Sequence, residues 1–567
     1  MDRLKTHFTV ILLILGSHVI AQNKLNLQNF ETVIADLKES IVIQTNANTF
    51  IVGETLYYNV TCLSTKNDHI GFSKIAYVEL VDSKKNSLFK HKIFLVNGQS
   101  YSDFFIPSYL ETGHYKLIGY TNLILNQKEK TINVLDIYII NPYQKINSEI
   151  KSDTLIKKNK LNNNDNTKDI ECKLYKNEFG TREQVTMDVN FNSETVTNKT
   201  FSVSVKKIDS LSTFFPNSNT QENIIVGYNP IPEIRGEIIT GKIIAKVNNS
   251  TLDNKIISLT IQGENNEYKV TKTDAMGKFV FNVENKNTST TVLVQIIDQD
   301  RLNYGIEIIK DPNLDVSQIS FTSLNLSKNL ISSLEQRAFA SQVKNAYYDQ
   351  KKDSIQPITV NNLIFDPKLT IQYNLKDYTR FQTVKETIIE VTTILSLVKN
   401  GEEYNLIVND FDNKNEFPYP SLVIFDGIII QNIKNILDFN PNLIEKISVV
   451  PGGYMYGFQK YNGVVIFKSK NGDYQVKESG DFIQNPKILR PQIIKTYYNP
   501  DYTTNLDLKR IPDYRHQLLW NPSFNIQKNS NKIIFYTSDI TGEFEIIIQG
   551  FDGNGKQIMS RKTITVK

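Results

Sequence analysis

Glycine turns, histidines, cysteines and paired carboxylates are the places where this chain could carry chemistry. Gly452, Gly453 and Gly457 follow an apolar strand, where a phosphate-cradling loop would stand. Such a loop needs a helix N-terminus behind it, and its P-loop form needs Gly-Lys-Ser/Thr. Here the chain runs on through Tyr461-Asn462-Gly463 into another strand, so the glycines read as turn residues. Beyond the leader described below the histidines are His69, His91, His114 and His516, none with a second His or carboxylate at zinc or iron spacing. The sequence has no Gly-x-Ser-x-Gly elbow, and neither Cys62 nor Cys172 has a convincing His partner. Glu402-Glu403 sits at an element end, where a solvated role is usual. Asn162 to Asp169 lacks the ligand spacing and closing Glu of an EF-hand. The expectation is a chain that is not an enzyme, with no catalytic residues, no metal site and no cofactor.

The elements around these residues read as strands. Asn, Ile, Thr and Tyr are abundant and Ala is scarce, a balance that favours β-structure. Lys and Arg (64) nearly balance Asp and Glu (60) and are interspersed with them, which argues against a nucleic-acid groove or a polybasic membrane patch. Arg3 and Lys5, the apolar run Phe8 to Gly16 and Val19-Ile20-Ala21 make residues 1–21 a secretory signal. No later segment approaches twenty apolar residues, so no transmembrane span is expected. An exported protein follows, and the family resemblances given below imply that it is periplasmic or outer-membrane associated. Cys62 shares a strand face with Leu56, Tyr58 and Val60, and Cys172 shares one with Ile170 and Leu174. That favours two buried thiols in separate cores, with a disulfide as the alternative.

Along the chain, residues 22–143 alternate in short strands split by turns, the pattern of a β-sandwich. Residues 144–168 are a polar, Asn-rich linker. A second sandwich is expected over 169–230, where Val185, Met187, Val189 and Phe191 alternate inward, and a third over 231–310. A connector, 311–380, contains a helical pattern from Leu330 to Tyr347 with Ser327 as its N-cap. Residues 381–474 form a small α+β unit: Thr383-Val384-Lys385-Glu386 is a capping box, and Val384, Ile388, Val391, Leu395 and Val398 make a helix stripe ended by Gly401. Asp426-Gly427 is a two-residue hairpin turn within it. A C-terminal sandwich is expected over 475–567. The fold class is mainly β, with tandem Ig-like sandwiches and one small α+β domain.

Several runs resemble known families. FIVGETLYYNV, KIAYVELVDSKKNSLFKHKI and IPSYLETGHYKLIGYTN are similar to the first macroglobulin-type domain of large bacterial envelope proteins, and KNEFGTREQVTMDVNF with TFSVSVKKID is similar to the next repeat. IRGEIITGKI through TDAMGKFVFNV resembles the carboxypeptidase regulatory sandwich, with Asp274 as a turn residue beside Gly277. Asp426-Gly427, Ile444-Glu445-Lys446-Ile447, Tyr456-Gly457 and Asn462-Gly463-Val464-Val465 resemble the plug domain of TonB-dependent receptors, departing from it at Pro451-Gly452-Gly453. About ninety residues follow, too few for a barrel of some twenty-two strands of about ten residues each. The resemblance therefore implies a plug-like fold used without its own pore. The thioester centre of macroglobulin traps, Cys-Gly-Glu-Gln, is absent from the sequence.

The functional expectation is a non-catalytic envelope binding or scaffold protein whose plug-like unit docks to an outer-membrane β-barrel or other envelope partner. Pro451, Gly452, Gly453, Tyr454, Tyr456, Gly457, Phe458 and Tyr461 form the candidate contact loop, since exposed glycines beside aromatics suit an interface. Local packing of those aromatics over the plug sheet is the alternative. Thioester-independent protease binding and a type IX secretion cargo are the alternative functions.

Overall fold

Short alternating runs make the sheets of this protein, and strands distant in sequence decide where they close. The computed structural model describes residues 37–567 except 65–69, 145–168, 192–199, 216–217, 225, 264–265, 311–312, 325, 357–369, 410–418, 505, 528–530 and 553. The expected leader, His69 and the linker beyond residue 144 lie outside the described residues. The described chain is mainly β, in tandem sandwiches with one α+β unit.

In the first sandwich, strand Thr55–Ser64 buries Leu56, Tyr58, Val60 and Cys62 between Glu39–Thr45 and Gln99–Phe105. The opposing sheet runs Asn219–Asn223, Thr131–Ile140, Gly113–Tyr120, Ile75–Val81, Ser87–Phe94. Its polar edge strand Asn219–Asn223 comes from beyond the expected end of this unit at residue 143. Charged and amide side chains are what an exposed edge tolerates.

The second and C-terminal units separated in the sequence are halves of one sandwich. Strand Thr200–Lys207 lies between Gln517–Asn525 and Gly542–Phe551, and Gln184–Phe191 lies between Asn531–Tyr536 and Ile170–Leu174. The reason is visible in Thr200–Lys207 itself: Ser202 and Ser204 are buried as well as Phe201, Val203 and Val205, so the strand needs neighbours on both edges. The residues between the two halves carry the third sandwich, the α+β unit and a return strap. Both cysteines are free thiols, Cys62 buried and Cys172 half-buried.

The third sandwich packs Lys278–Val283, Glu237–Ala245 and Tyr304–Ile309 against Glu267–Lys272, Ile256–Ile261 and Val292–Ile296. Asp274 is the turn residue there: its Oδ1 accepts from the N–H groups of Met276 (2.9 Å) and Lys278 (2.8 Å), beside Gly277 at φ +76°. Ile483–Gln484 adds to the second of these sheets, Pro491 bridges Lys92 of the first sandwich, and Lys495–Thr496 pairs with Ser354–Ile355. Residues 475–516 are thus a return strap, where the sequence reading places part of a sandwich.

Three helices matter. α1, Ser210–Phe214, is capped by Asp209; α2, Ile331–Ala346, continues a turn capped by Ser327; α3, Val384–Val391, has the Thr383–Glu386 capping box. α3 is shorter than the sequence pattern predicts. Thr392 and Thr393 are β-branched, and the Thr392 hydroxyl donates to the Ile388 carbonyl at 2.6 Å, ending the helix. Leu395 and Val398 belong instead to strand Leu395–Asn400, which pairs with Glu403–Val408 around Gly401 at φ +61°. The α+β unit is completed by a sheet in the order Ile371–Asn374, Ile444–Tyr456, Gln459–Ser469, Leu422–Phe425, Ile428–Ile429.

Candidate binding surface

The candidate contact segment is a long β-hairpin, Ile444–Tyr456 with Gln459–Ser469, and not a free loop. Proline has no N–H to give a ladder, so the register shifts between Val450 and Gly453, with Pro451 and Gly452 (φ +87°) in the irregularity. Pairing then resumes as Gly453 with Asn462, Tyr454 with Tyr461 and Tyr456 with Gln459, and Gly457 (φ +60°) and Phe458 make the turn.

Alternation sends Tyr454, Tyr456 and Tyr461 to one face, where they pack with Tyr268 and Ile297 of the third sandwich. Burial pushes the Tyr461 hydroxyl up to about 12 and raises that of Tyr456 further. A Cβ on Gly457 would lie 2.9 Å from Val270 Cβ, so the hairpin tip touches strand Glu267–Lys272 through backbone. Two large apolar side chains remain outside: Met455 is 62% exposed and Phe458 54%, with Lys272 Nζ 4.6 Å from the Phe458 ring centre. Pro451 and Gly453 are exposed with them. The tyrosines therefore pack at an internal junction, and the outward face of the hairpin end reduces to the tip and the bulge.

Asp426 fixes the base of this junction. It and Gly427 both have positive φ (+42° and +91°), as a type I′ turn demands. The buried Asp426 carboxylate accepts from Ser469 N (2.8 Å), Ser469 Oγ (2.5 Å) and Tyr474 N (3.0 Å). The Gly427 carbonyl accepts from Thr260 Oγ1 at 2.8 Å, which ties the turn to the third sandwich.

The described histidines are all engaged in packing. His91 Nδ1 lies 2.8 Å from the Tyr58 hydroxyl, and burial pushes the imidazole down to about 4, with Asp103 opposing and Lys495 reinforcing. His114 Nδ1 accepts from Thr322 N at 2.9 Å while its Nε2 lies 2.8 Å from Asp136. Burial, then the charge of Arg337, depresses His516 to about 3. Among the described residues no three His, Cys, Asp or Glu side chains converge as a metal-holding group.

What the sequence reading missed is a set of buried ionic clusters, two of them between units and one within the return strap. Arg337 of α2, 1% exposed, donates to Asp209 through Nε (2.6 Å) and Nη2 (2.8 Å) and to the Thr49 carbonyl at 3.1 Å. Lys92 of the first sandwich meets Glu237 (3.3 Å) of the third, which also pairs with Arg490 of the return strap; all three are nearly fully buried. Arg515 forks onto Asp513 (2.8 and 2.7 Å), which accepts from the Tyr502 hydroxyl at 2.6 Å. One signal was available. Arg337 falls on the same helical stripe as Leu330, Leu334 and Ser341, and Glu237 alternates with inward Ile239 and Ile243. A charge at an apolar position of a pattern marks a buried partner elsewhere.

No protein-family model matches the chain, and no curated protein matches it. Among solved structures it is similar to Salmonella alpha-2-macroglobulin reacted with methylamine (8% identity, TM-score 0.23, 93% of this chain and 39% of that one). Escherichia coli alpha-2-macroglobulin activated by porcine elastase gives 8% identity and TM-score 0.23 over 93% of this chain and 44% of its own. Dimeric latent PorU from Porphyromonas gingivalis gives 10% identity and TM-score 0.16 over 48% of this chain and 33% of its own. The chain thus spans less than half the length of these neighbours, and at such TM-scores the likeness carries no functional argument.

Proposed function

We propose that the chain is a non-catalytic binding or scaffold component of the bacterial cell envelope, docking through its plug-like α+β unit to an outer-membrane β-barrel or another envelope protein. The mounting of the 444–469 hairpin carries this reading. Its tyrosine face rests on the third sandwich and its base is fixed by Asp426, while Met455 and Phe458 project at the tip. A hairpin already held rigid loses little conformational freedom on binding. Two exposed apolar side chains at its end suit anchors for a partner's pocket, with the edges of the sandwiches as further surface.

The test is recovery of the tagged full-length chain from detergent-solubilised envelopes, with co-purifying proteins identified by mass spectrometry. A stoichiometric outer-membrane barrel is expected, and it should be lost when Met455→Glu and Phe458→Glu are combined. A chain recovered alone, or a barrel retained by the double variant, overturns the docking reading. Weight then moves to thioester-independent protease binding, whose measurement is a stable complex with an added protease.

A further inference from the structure

A second region has the shape and chemistry of a ligand site and shares no residue with the hairpin. It is a cavity of about 450 Å³ where the first sandwich, α2, the return strap and the composite sandwich meet. That volume falls within the range of small-molecule sites. Its aromatic wall is built from three separate segments. Tyr57 lies 4.9 Å from Tyr497, edge to face, and 5.9 Å from Trp520, nearly parallel. Phe105 and Tyr348, 51% and 55% exposed, stand at the rim, whereas Trp520 is only 5% exposed.

The polar groups around these rings are of both kinds. Asp103 accepts from Lys495 Nζ (2.9 and 3.0 Å) and the Tyr497 hydroxyl (3.3 Å), and Asp353 accepts from Tyr498 N at 2.8 Å. Both carboxylates line the cavity with four cations: Lys495 is paired with Asp103, Lys351 and Arg515 with Asp513, and Lys344 stands over the Tyr57 ring, while the Gln517 amide donates to Ser204, Val205 and Leu519. The Trp520 indole N–H is buried and finds no acceptor among the described residues.

This lining selects among ligands. A wholly apolar guest would strip water from the two carboxylates and the lysines without replacing it. A simple anion would face Asp103 and Asp353. A saccharide ring presents C–H faces to the aromatic wall and hydroxyls that both donate and accept, so it satisfies every class of group present. We propose that this cavity binds a saccharide of one or two rings, packed against Tyr57 and the rim aromatics Phe105 and Tyr348 and hydrogen-bonded to Asp103, Asp353 and Lys344. The proposal is independent of any partner at the hairpin.

Trp520 is the only tryptophan in the chain, so its emission reports on the cavity directly. The full-length protein is titrated with maltose, diacetylchitobiose and glucuronic acid, and with glycyl-phenylalanine as a zwitterionic comparator. At least one saccharide should give a saturable change in emission, and the dipeptide should give none. Tyr57→Ala should weaken that saccharide by about tenfold. Lys344→Met, at the margin of the cavity, should weaken it by about threefold. Should Tyr57→Ala fail to fold, judged by circular dichroism, exposed Phe105→Ala takes its place with the same direction of effect. No response to any of the three saccharides, an equal response to the dipeptide, or unchanged affinity in the folded variant overturns the proposal.

Discussion

Tyrosines gather at two junctions of this molecule, and the two are held by different forces. Between the third sandwich and the α+β unit, Tyr268, Tyr454, Tyr456 and Tyr461 close on one another with Ile297, and the polar ties are neutral: Thr260 Oγ1 donates to the Gly427 carbonyl, Gln295 to the Ile429 carbonyl and Gln431 to the Ile296 carbonyl. Between the first sandwich, the composite sandwich and α2, Tyr57, Tyr497 and Trp520 meet but leave about 450 Å³ open. There α2 is clamped by the fork of Arg337 on Asp209, whose planar geometry fixes distance and angle, and Arg337 also reaches the Thr49 carbonyl of the first sandwich. At the first junction the tyrosines close on one another, and the open space, about 420 Å³ beside Asp298 and Tyr461 and about 530 Å³ beside Gln262 and Asp473, lies around them. Units held by rigid charged clamps stop at the clamp's spacing, and the aromatics between them are left to line a cavity.

The sharpest way to break this contrast is to remove a clamp. Arg337→Ala leaves the Asp209 carboxylate buried without its cation, and burial of an unpaired charge costs about 3–5 kcal/mol. Chemical denaturation should show a loss of that size, together with a changed Trp520 emission as the second junction opens. An unchanged emission in a variant destabilised to that extent would mean that the clamp does not set the cavity.

Acid should separate the two junctions next. His91 and His516 flank the clamped one and sit at about 4 and about 3, below the ordinary 6.5, burial being the main cause in each. The unfolded chain therefore binds more protons than the folded one below about pH 6.5, so stability falls as pH falls from there toward 4. Asp209 and Asp513 enter later: burial opposes their ionisation, but Arg337 and Arg515 outweigh it and hold each at about 2. Denaturation midpoints between pH 7 and 4 should decline, and His91→Gln with His516→Gln should flatten the decline. A slope unaffected by both substitutions would assign acid sensitivity elsewhere.

Strand content, the three cores' alternating residues, the caps Ser327 and Thr383 and the Asp426-Gly427 turn were legible because each is set within a few residues of itself. The joining of 169–207 with 517–567 was not, since nothing local to TFSVSVKKID says which strands will lie beside it. Which of the candidate contact residues face outward was legible only in part. Aromatics at alternate positions of a hairpin point together whatever they meet, and only the fold shows that Tyr454, Tyr456 and Tyr461 meet the chain's own sandwich while Phe458 faces out. The cavity was invisible for the same reason: Tyr57, Tyr348, Tyr497 and Trp520 belong to four segments scattered over more than four hundred residues.

The smallest expected effect falls on the tyrosine-packed junction. Asp426→Asn keeps the side chain's size and its tolerance of positive φ but replaces a carboxylate that accepts from Ser469 N, Ser469 Oγ and Tyr474 N with an amide having one acceptor oxygen. One or two of those buried donors lose their partner, which costs about 1–3 kcal/mol. Because the tyrosine packing beyond the turn does not depend on that charge, the hairpin should stay docked: hydrogen exchange should quicken at Ser469 and Tyr474 and remain slow through Val464–Phe467. If exchange instead quickens along the whole hairpin, the turn and not the aromatic face holds the α+β unit to the third sandwich. The two junctions would then be alike in resting on a polar anchor.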